Sequence, residues 1–143
     1  MIVKEIMNRN VKTIRPEDSV RYAAQIMNEN RIGSLVVVSG TGEVVGILTE
    51  RDILTDVVAT GKSADDVKVS EIMTKNIITI TPDKTLEEAG DIMTKYKIKK
   101  LPVVEGGRLV GIVTASDLVA YEKSLIEKVA VLLAISPMKN IGG

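Results

Sequence analysis

The sequence predicts an α+β fold made of two β-α-β-β-α units packed through their sheets about a pseudo-two-fold axis. Two observations lead there. Shifted by 66 residues, Ile6 to Val38 lies over Ile72 to Val104 with 13 identities in 33 positions. Further on, Gly46-Ile47-Leu48-Thr49-Glu50-Arg51-Asp52 returns as Gly111-Ile112-Val113-Thr114-Ala115-Ser116-Asp117. There the offset is 65, because Ser39 to Glu43 is one residue longer than Glu105 to Arg108, and turns tolerate such insertions best.

Each unit opens on a short extended piece, Val11 to Ile14 and Ile77 to Ile80, which Pro16 or Pro82 stops because proline lacks an N–H and fixes φ. A helix follows. Ser19 and Thr85 are its N-caps, and Thr85-Leu86-Glu87-Glu88 has the full capping-box form. Val20, Ala23, Ala24 and Met27, and in the second unit Leu86, Ala89, Gly90 and Met93, then fall on one helical face. Leu35 to Val38 with Val44 to Leu48, and Leu101 to Val104 with Leu109 to Val113, read as hairpins of buried strands, giving each unit three strands and two helices. Closing helices start near Asp52, ending about Val58, and at Asp117. The predicted organisation is a first unit over 1–60, a linker over 61–70, a second unit over 71–122, and a C-terminal helix and tail over 123–143. In that tail Leu125, Ile126, Val129, Leu132 and Leu133 form a broad apolar stripe, with Pro137 expected to stop the helix.

Composition narrows the function. The 143 residues are 45% apolar and 27% charged, a globular balance, and no apolar run approaches the roughly 20 residues of a membrane helix. Nineteen basic residues cancel nineteen acidic ones, which disfavours nonspecific nucleic-acid binding. Without Phe or Trp, and with only Tyr22, Tyr96 and Tyr121, the aromatic platforms for stacking single-stranded bases are missing too. The chain has no Cys and no His, which removes disulfides, the usual zinc ligand sets, and Ser-His-Asp or Cys-His nucleophilic sites. No metal site, resident cofactor or enzyme activity is predicted. Met1 to Glu5 carries no signal-type pattern, so a cytoplasmic location is expected.

Thr-x-x-Asp ahead of an apolar run is, taken alone, a capping box. Its return in phase, at two strand-to-helix junctions of a duplicated unit, makes it a candidate binding device as well. A carboxylate accepts hydrogen bonds from both ribose hydroxyls, and a helix N-terminus presents free N–H groups to a phosphate.

These residues resemble the tandem CBS (cystathionine-β-synthase) domain pair, or Bateman module. The resemblance covers Ile6 to Tyr121. It is carried by Glu5-Ile6-Met7 and Glu71-Ile72-Met73-Thr74, the Thr-Ile-x-Pro segments, Ile98-Lys99-Lys100-Leu101-Pro102-Val103-Val104, and the two Gly-Ile-x-Thr-x-x-Asp junctions. The first unit departs from it with Val36 where the second has Pro102. The resemblance implies a regulatory module holding AMP, ADP, ATP or S-adenosylmethionine between the repeats, in sites built from both halves. One site would join Lys12, Thr13, Ile32, Gly33 and Ser34 to Thr114, Ser116 and Asp117. The other would join Ile78, Thr79, Ile98, Lys99, Lys100 and Pro102 to Thr49, Arg51 and Asp52. Thr49, Asp52, Thr114 and Asp117 would meet ribose; Arg51, Ser116 and Lys100 would meet phosphate; the rest would form the adenine pockets. A homodimer acting on an unidentified partner protein is expected. The competing reading is a structural dimerisation or adaptor module with vestigial pockets.

Overall fold

The computed structural model describes residues 1–139, with side chains through 134. In chain order the elements are α1 (Val3–Ile6), β1 (Thr13–Ile14), α2 (Val20–Asn30), β2 (Ser34–Val38), β3 (Val44–Thr49), α3 (Glu50–Ile53), α4 (Val69–Ile72), α5 (Leu86–Tyr96), β4 (Lys100–Glu105), β5 (Arg108–Thr114) and α6 (Ala115–Lys139). A π-helical turn, Leu54–Val58, extends α3.

The helices begin where local chemistry places them. Ser19 Oγ accepts the Tyr22 N–H at 3.1 Å to start α2. At α5, Thr85 Oγ1 accepts the Glu88 N–H at 3.0 Å and Glu88 Oε1 accepts the Thr85 N–H at 3.1 Å, a reciprocal box. Both long helices leave through a left-handed residue, Arg31 (φ 53°) and Lys97 (φ 55°). The next N–H, of Ile32 or Ile98, donates back to Met27 O or Met93 O at 3.0 Å. This tight reversal aims Gly33-Ser34 and Lys99-Lys100 into the following strands.

The first sheet has order β1-β2-β3, with β1 parallel to β2 and β2 antiparallel to β3. The second is narrower than the expected three strands. Antiparallel β4 and β5 form its ladder, and Ile77 to Ile80 contributes only a bridge from Ile80 to Val103. The cause is Pro102, which stands where β2 has Val36. Without an N–H it cannot donate the bond that would carry the pairing back past Ile80.

Each sheet buries one face on helices. Leu35, Val37 and Leu48 join Val20, Ala23 and Met27 in one core; Leu101, Val103 and Val113 join Ala89 and Met93 in the other. Val36 and Pro102 are buried but belong to neither core, since strand alternation turns them to the opposite face. On that face of β2 lies Ser34, whose Oγ accepts a 2.9 Å hydrogen bond from Lys100 Nζ. Ser34 and Lys100 are the same position of the two repeats, so their contact marks the pseudo-two-fold axis. The hairpins also touch, through the bridge between Glu43 and Arg108.

The repeats exchange their leading segments. Val3 N–H donates to Lys84 O (2.8 Å) and Lys4 N–H to Pro82 O (3.0 Å), while Val69 N–H donates to Asp18 O and Ser70 N–H to Pro16 O, both 2.9 Å. Val3 and Met7 accordingly fill the second core, and Val67, Val69 and Ile72 the first. After each exchange the chain crosses the other repeat's glycine strand, Asn8 bridging Ile112 and Thr74 bridging Ile47. Gly46 and Gly111 permit the crossing. A Cβ on Gly46 would stand 2.9 Å from Thr74 O and 2.8 Å from Met73 Sδ; on Gly111 it would stand 3.1 Å from Asn8 O and 2.6 Å from Met7 Sδ.

The last helix corrects one expectation. It forms a single run, Ala115–Lys139, and passes Pro137. Proline so near the end of the helix removes a single bond donor there.

Candidate functional site

A cleft of about 520 Å³ opens where the two repeats meet. Its apolar lining is Val36, Ile47, Ile77, Ile78, Ile98 and Ile112, and its polar lining includes Ser34, Thr49, Glu50, Thr74, Asn76, Lys97, Lys99 and Lys100. The fold explains the mixture. Val36, Ile47 and Ile112 are the faces the sheets turn toward one another, Ile77-Ile78 is the stretch that Pro102 keeps out of the second ladder, and Lys97 to Lys100 is the reversal after α5. The volume lies within the roughly 300–1,000 Å³ of small-molecule sites, and an apolar lining with a few polar groups is their usual chemistry.

Thr49 enters the cleft at the end of β3. Its N–H donates to Asp52 Oδ2 (3.0 Å) and its Oγ1 accepts the Asp52 N–H (3.1 Å), so both residues are held at the first turn of α3. The second junction repeats this geometry: Thr114 N–H donates to Asp117 Oδ2 at 2.9 Å, and Thr114 Oγ1 accepts the Asp117 N–H at 3.1 Å. Each box uses one carboxylate oxygen, so the other oxygen of Asp52 or Asp117 retains capacity for a further donor.

Of the residues singled out by sequence, Gly33, Ser34, Thr49, Ile78, Ile98, Lys99 and Lys100 line this one cleft. Gly33 and Ser34, expected opposite Thr114, therefore stand with Thr49, because the axis passes between Ser34 and Lys100. Arg51, Asp52, Thr79 and Pro102 do not line it: Asp52 is tied behind Thr49, Arg51 and Thr79 are exposed, and Pro102 is buried between the sheets. Ile32 and Gly33 border a hollow of about 480 Å³ with Arg31, Glu50 and Ile53. Thr13 borders one of about 260 Å³ with Arg9, Val11 and Leu109. Lys12 and Ser116 are exposed, and Thr114 and Asp117 are half-buried at the start of α6. Sequence reasoning overlooked Glu50, Thr74, Asn76 and Lys97, along with the inward Val36, Ile47 and Ile112. Asn76 had a signal in its identity with Asn10 across the repeat, and strand alternation marked the apolar three.

A duplicated unit with exchanged leading segments, paired sheets, and a cleft walled by both strand-to-helix junction and strand opening is a family's architecture. The model of the CBS domain matches residues 3–59 and again 69–124. The chain belongs to the CBS domain family. It is 34% identical over 122 residues to the CBS domain-containing protein YhcV of Bacillus subtilis, covering 85% of this chain and 86% of YhcV. It is 45% identical over 117 residues to inosine-5'-monophosphate dehydrogenase of Korarchaeum cryptofilum, covering 81% of this chain but only 23% of the enzyme. It spans 64% of the length of MK0525 from Methanopyrus kandleri, to which it is 38% identical. Among solved structures, the CBS domain pair of protein MJ0100 in complex with 5'-methylthioadenosine and S-adenosyl-L-methionine superposes with a TM-score of 0.76 at 33% identity, covering 87% of this chain and 97% of that one. Among the described residues no helix is long and apolar enough to cross a membrane.

Proposed function

We propose that this CBS pair is a regulatory module that binds an adenosine-containing ligand, AMP, ADP or ATP, in the cleft between its repeats, and passes the bound state to a partner protein inside the cell. The observation that supports it most is the convergence on one 520 Å³ cleft of an apolar slot (Ile78, Ile98), a capped strand-to-helix junction (Thr49, with Asp52 behind it) and two lysines (Lys99, Lys100). In this reading the base lies between the isoleucines, the ribose hydroxyls donate to the free oxygen of Asp52 and to Thr49, and the phosphates reach Lys99 and Lys100. Arg51, on the exposed first turn of α3, adds a guanidinium for a longer phosphate chain. The adenosine compounds bound by the MJ0100 pair agree with the class of ligand. The half-buried junction of Thr114 and Asp117, with Ser116 exposed beside it, is proposed as a second ribose and phosphate site of lower charge, completed by Lys12, Thr13 and Ile32. We infer also that the module works as a homodimer.

Calorimetry with AMP, ADP, ATP, S-adenosylmethionine and 5'-methylthioadenosine tests this. Asp52→Ala is expected to remove the tighter, salt-sensitive ATP event, and Asp117→Ala the event that discriminates least among the three nucleotides. No binding by any of the five would leave the adaptor reading. Equal losses of ATP and AMP binding in the two variants would remove the charge distinction between the sites.

A further inference from the structure

Beside each strand-to-helix junction the two repeats fill one place in opposite ways. Glu50, the residue after Thr49, donates its N–H to Gly33 O at 2.9 Å; Ala115, the residue after Thr114, donates its N–H to Lys99 O at 2.8 Å. The backbones match and the side chains trade size. In the first repeat the Glu50 carboxylate lies over Gly33, where the atoms nearest an added Cβ would be Glu50 Oε1 at 3.1 Å, Cδ at 3.2 Å and Oε2 at 3.5 Å. In the second, Ala115 is small and Lys99 is long. One place therefore carries a negative charge in the first repeat and a positive one in the second. Both charges reach the cleft, which Glu50 lines together with Lys97, Lys99 and Lys100. Among the described residues no ion pair includes Glu50, and the Thr49 cap is closed by Asp52 without it.

We propose that Glu50 is a specificity-determining residue of this cleft, one that limits its preference for a longer phosphate chain. The proposal rests on the adenine-nucleotide reading above and adds to it the group that sets the phosphate number. Across the pseudo-two-fold axis the groups run from Glu50 on Gly33, through Ser34 hydrogen-bonded to Lys100 Nζ at 2.9 Å, to Lys99. Phosphates drawn to Lys99 and Lys100 thus lie in the field of Glu50 as well. Each added phosphate gains from the lysines and loses to the carboxylate, since both act through the same Coulomb law. ATP carries more negative charge than AMP, so the loss falls mostly on ATP. At the second junction Ala115 offers no such opposition.

Calorimetry with AMP and ATP at low ionic strength reads the ratio of their affinities. Glu50→Gln is expected to raise the ATP-to-AMP ratio about fivefold, the effect of roughly two further phosphate charges about 8 Å from the lost carboxylate in watery surroundings. The gain should shrink at about 0.5 M salt. Gly33→Lys with Glu50→Ala rebuilds the second repeat's pair in the first, in space that Glu50 vacates, and should raise the ratio further. Glu127→Gln removes the same charge from an exposed position on α6 and should leave the ratio alone. A role for Glu50 in starting α3 alone would lower stability and both affinities together without moving the ratio. An unchanged ratio in Glu50→Gln, or an equal change in Glu127→Gln, overturns the proposal and leaves nucleotide binding standing. No binding of either nucleotide by the parent protein overturns both.

Discussion

The two repeats hold the same skeleton with different linings. Both junctions carry a closed Thr-x-x-Asp box, both long helices exit through a left-handed basic residue, and both glycine strands are crossed by the other repeat's leading segment. Yet Gly33 and Ser34 of the first repeat answer to Lys99 and Lys100 of the second, Glu50 to Ala115, Val36 to Pro102 and Lys12 to Ile78. Every one of these differences lies at the repeat interface or at the strand-to-helix junctions beside it. What folds the module has been kept twice, and what lines the cleft between the repeats differs. The duplication therefore makes one cleft that is apolar at its base and basic at its rim, rather than two alike.

The exchange of leading segments offers the sharpest way to break the equivalence. A methyl added at Gly46 would stand 2.8 Å from Met73 Sδ and 2.9 Å from Thr74 O, and at Gly111 2.6 Å from Met7 Sδ and 3.1 Å from Asn8 O, so both meet a thioether but only at Gly46 does a backbone carbonyl come inside 3.0 Å. A thioether can swing and a peptide group in a bridge cannot. Gly46→Ala is thus expected to cost about 2–3 kcal/mol, at the upper end of overpacking penalties, and Gly111→Ala about 1 kcal/mol. Urea denaturation of the two variants measures this. Because Thr74 and Asn76 line the cleft, Gly46→Ala should also weaken ligand binding. Equal costs would mean that the two crossings yield in the same way.

The second comparison is between the junctions. Thr49→Ala and Thr114→Ala each remove a cap acceptor of the same geometry and should each cost about 1 kcal/mol. Only Thr49 lines the large cleft, so only its loss should lower affinity there. Thermal denaturation with and without ATP separates the two effects: similar midpoints without ligand, and a smaller ligand-induced rise for Thr49→Ala. If ATP stabilises both variants equally, Thr49 is a cap alone.

Which parts were legible in sequence follows from the range of the forces involved. Caps, hairpins and helix faces are written within a few residues, so Ser19, Thr85 and the Thr-x-x-Asp boxes could be placed directly. That Ile78, Ile98 and Lys99 share a cleft with Thr49 followed from the resemblance to the CBS pair and not from the pattern of the residues alone. What could not be read is set by contacts between the halves. Val3 and Val69 each serve the other repeat's core, Gly33 and Ser34 turn toward Thr49, and Pro102 shortens a strand that its neighbours, by pattern alone, would have continued. Glu50 looked like a spacer inside a motif. Its placement beside Gly33, with a carboxylate oxygen 3.1 Å from where a Cβ would stand, depends on the axis that only the assembled sheets define.

The smallest expected effect sharpens the comparison of the two long helices. At α2 the third position holds Tyr22, and Ser19 caps alone; at α5 it holds Glu88, whose carboxylate accepts from Thr85. The backbone N–H of Thr85 first, and its hydroxyl second, hold the Glu88 carboxyl below the usual carboxylate range. A folded-state pKa below the unfolded value contributes stability above the unfolded pKa, roughly 4.3, and that contribution is lost as pH falls through the lowered folded value. Acid should therefore loosen the second repeat's long helix through a group that the first repeat lacks. Glu88→Gln is expected to be slightly less stable than the parent at pH 7 and to converge with it as the pH drops below about 4. The group is exposed and screened, so the difference should be small and should shrink further with salt. Urea midpoints of both proteins across that range check it. A gap that persists at the acid end would mean that Glu88 supports α5 through packing or its neutral hydrogen bond, and that the asymmetry between the helices does not reside in charge.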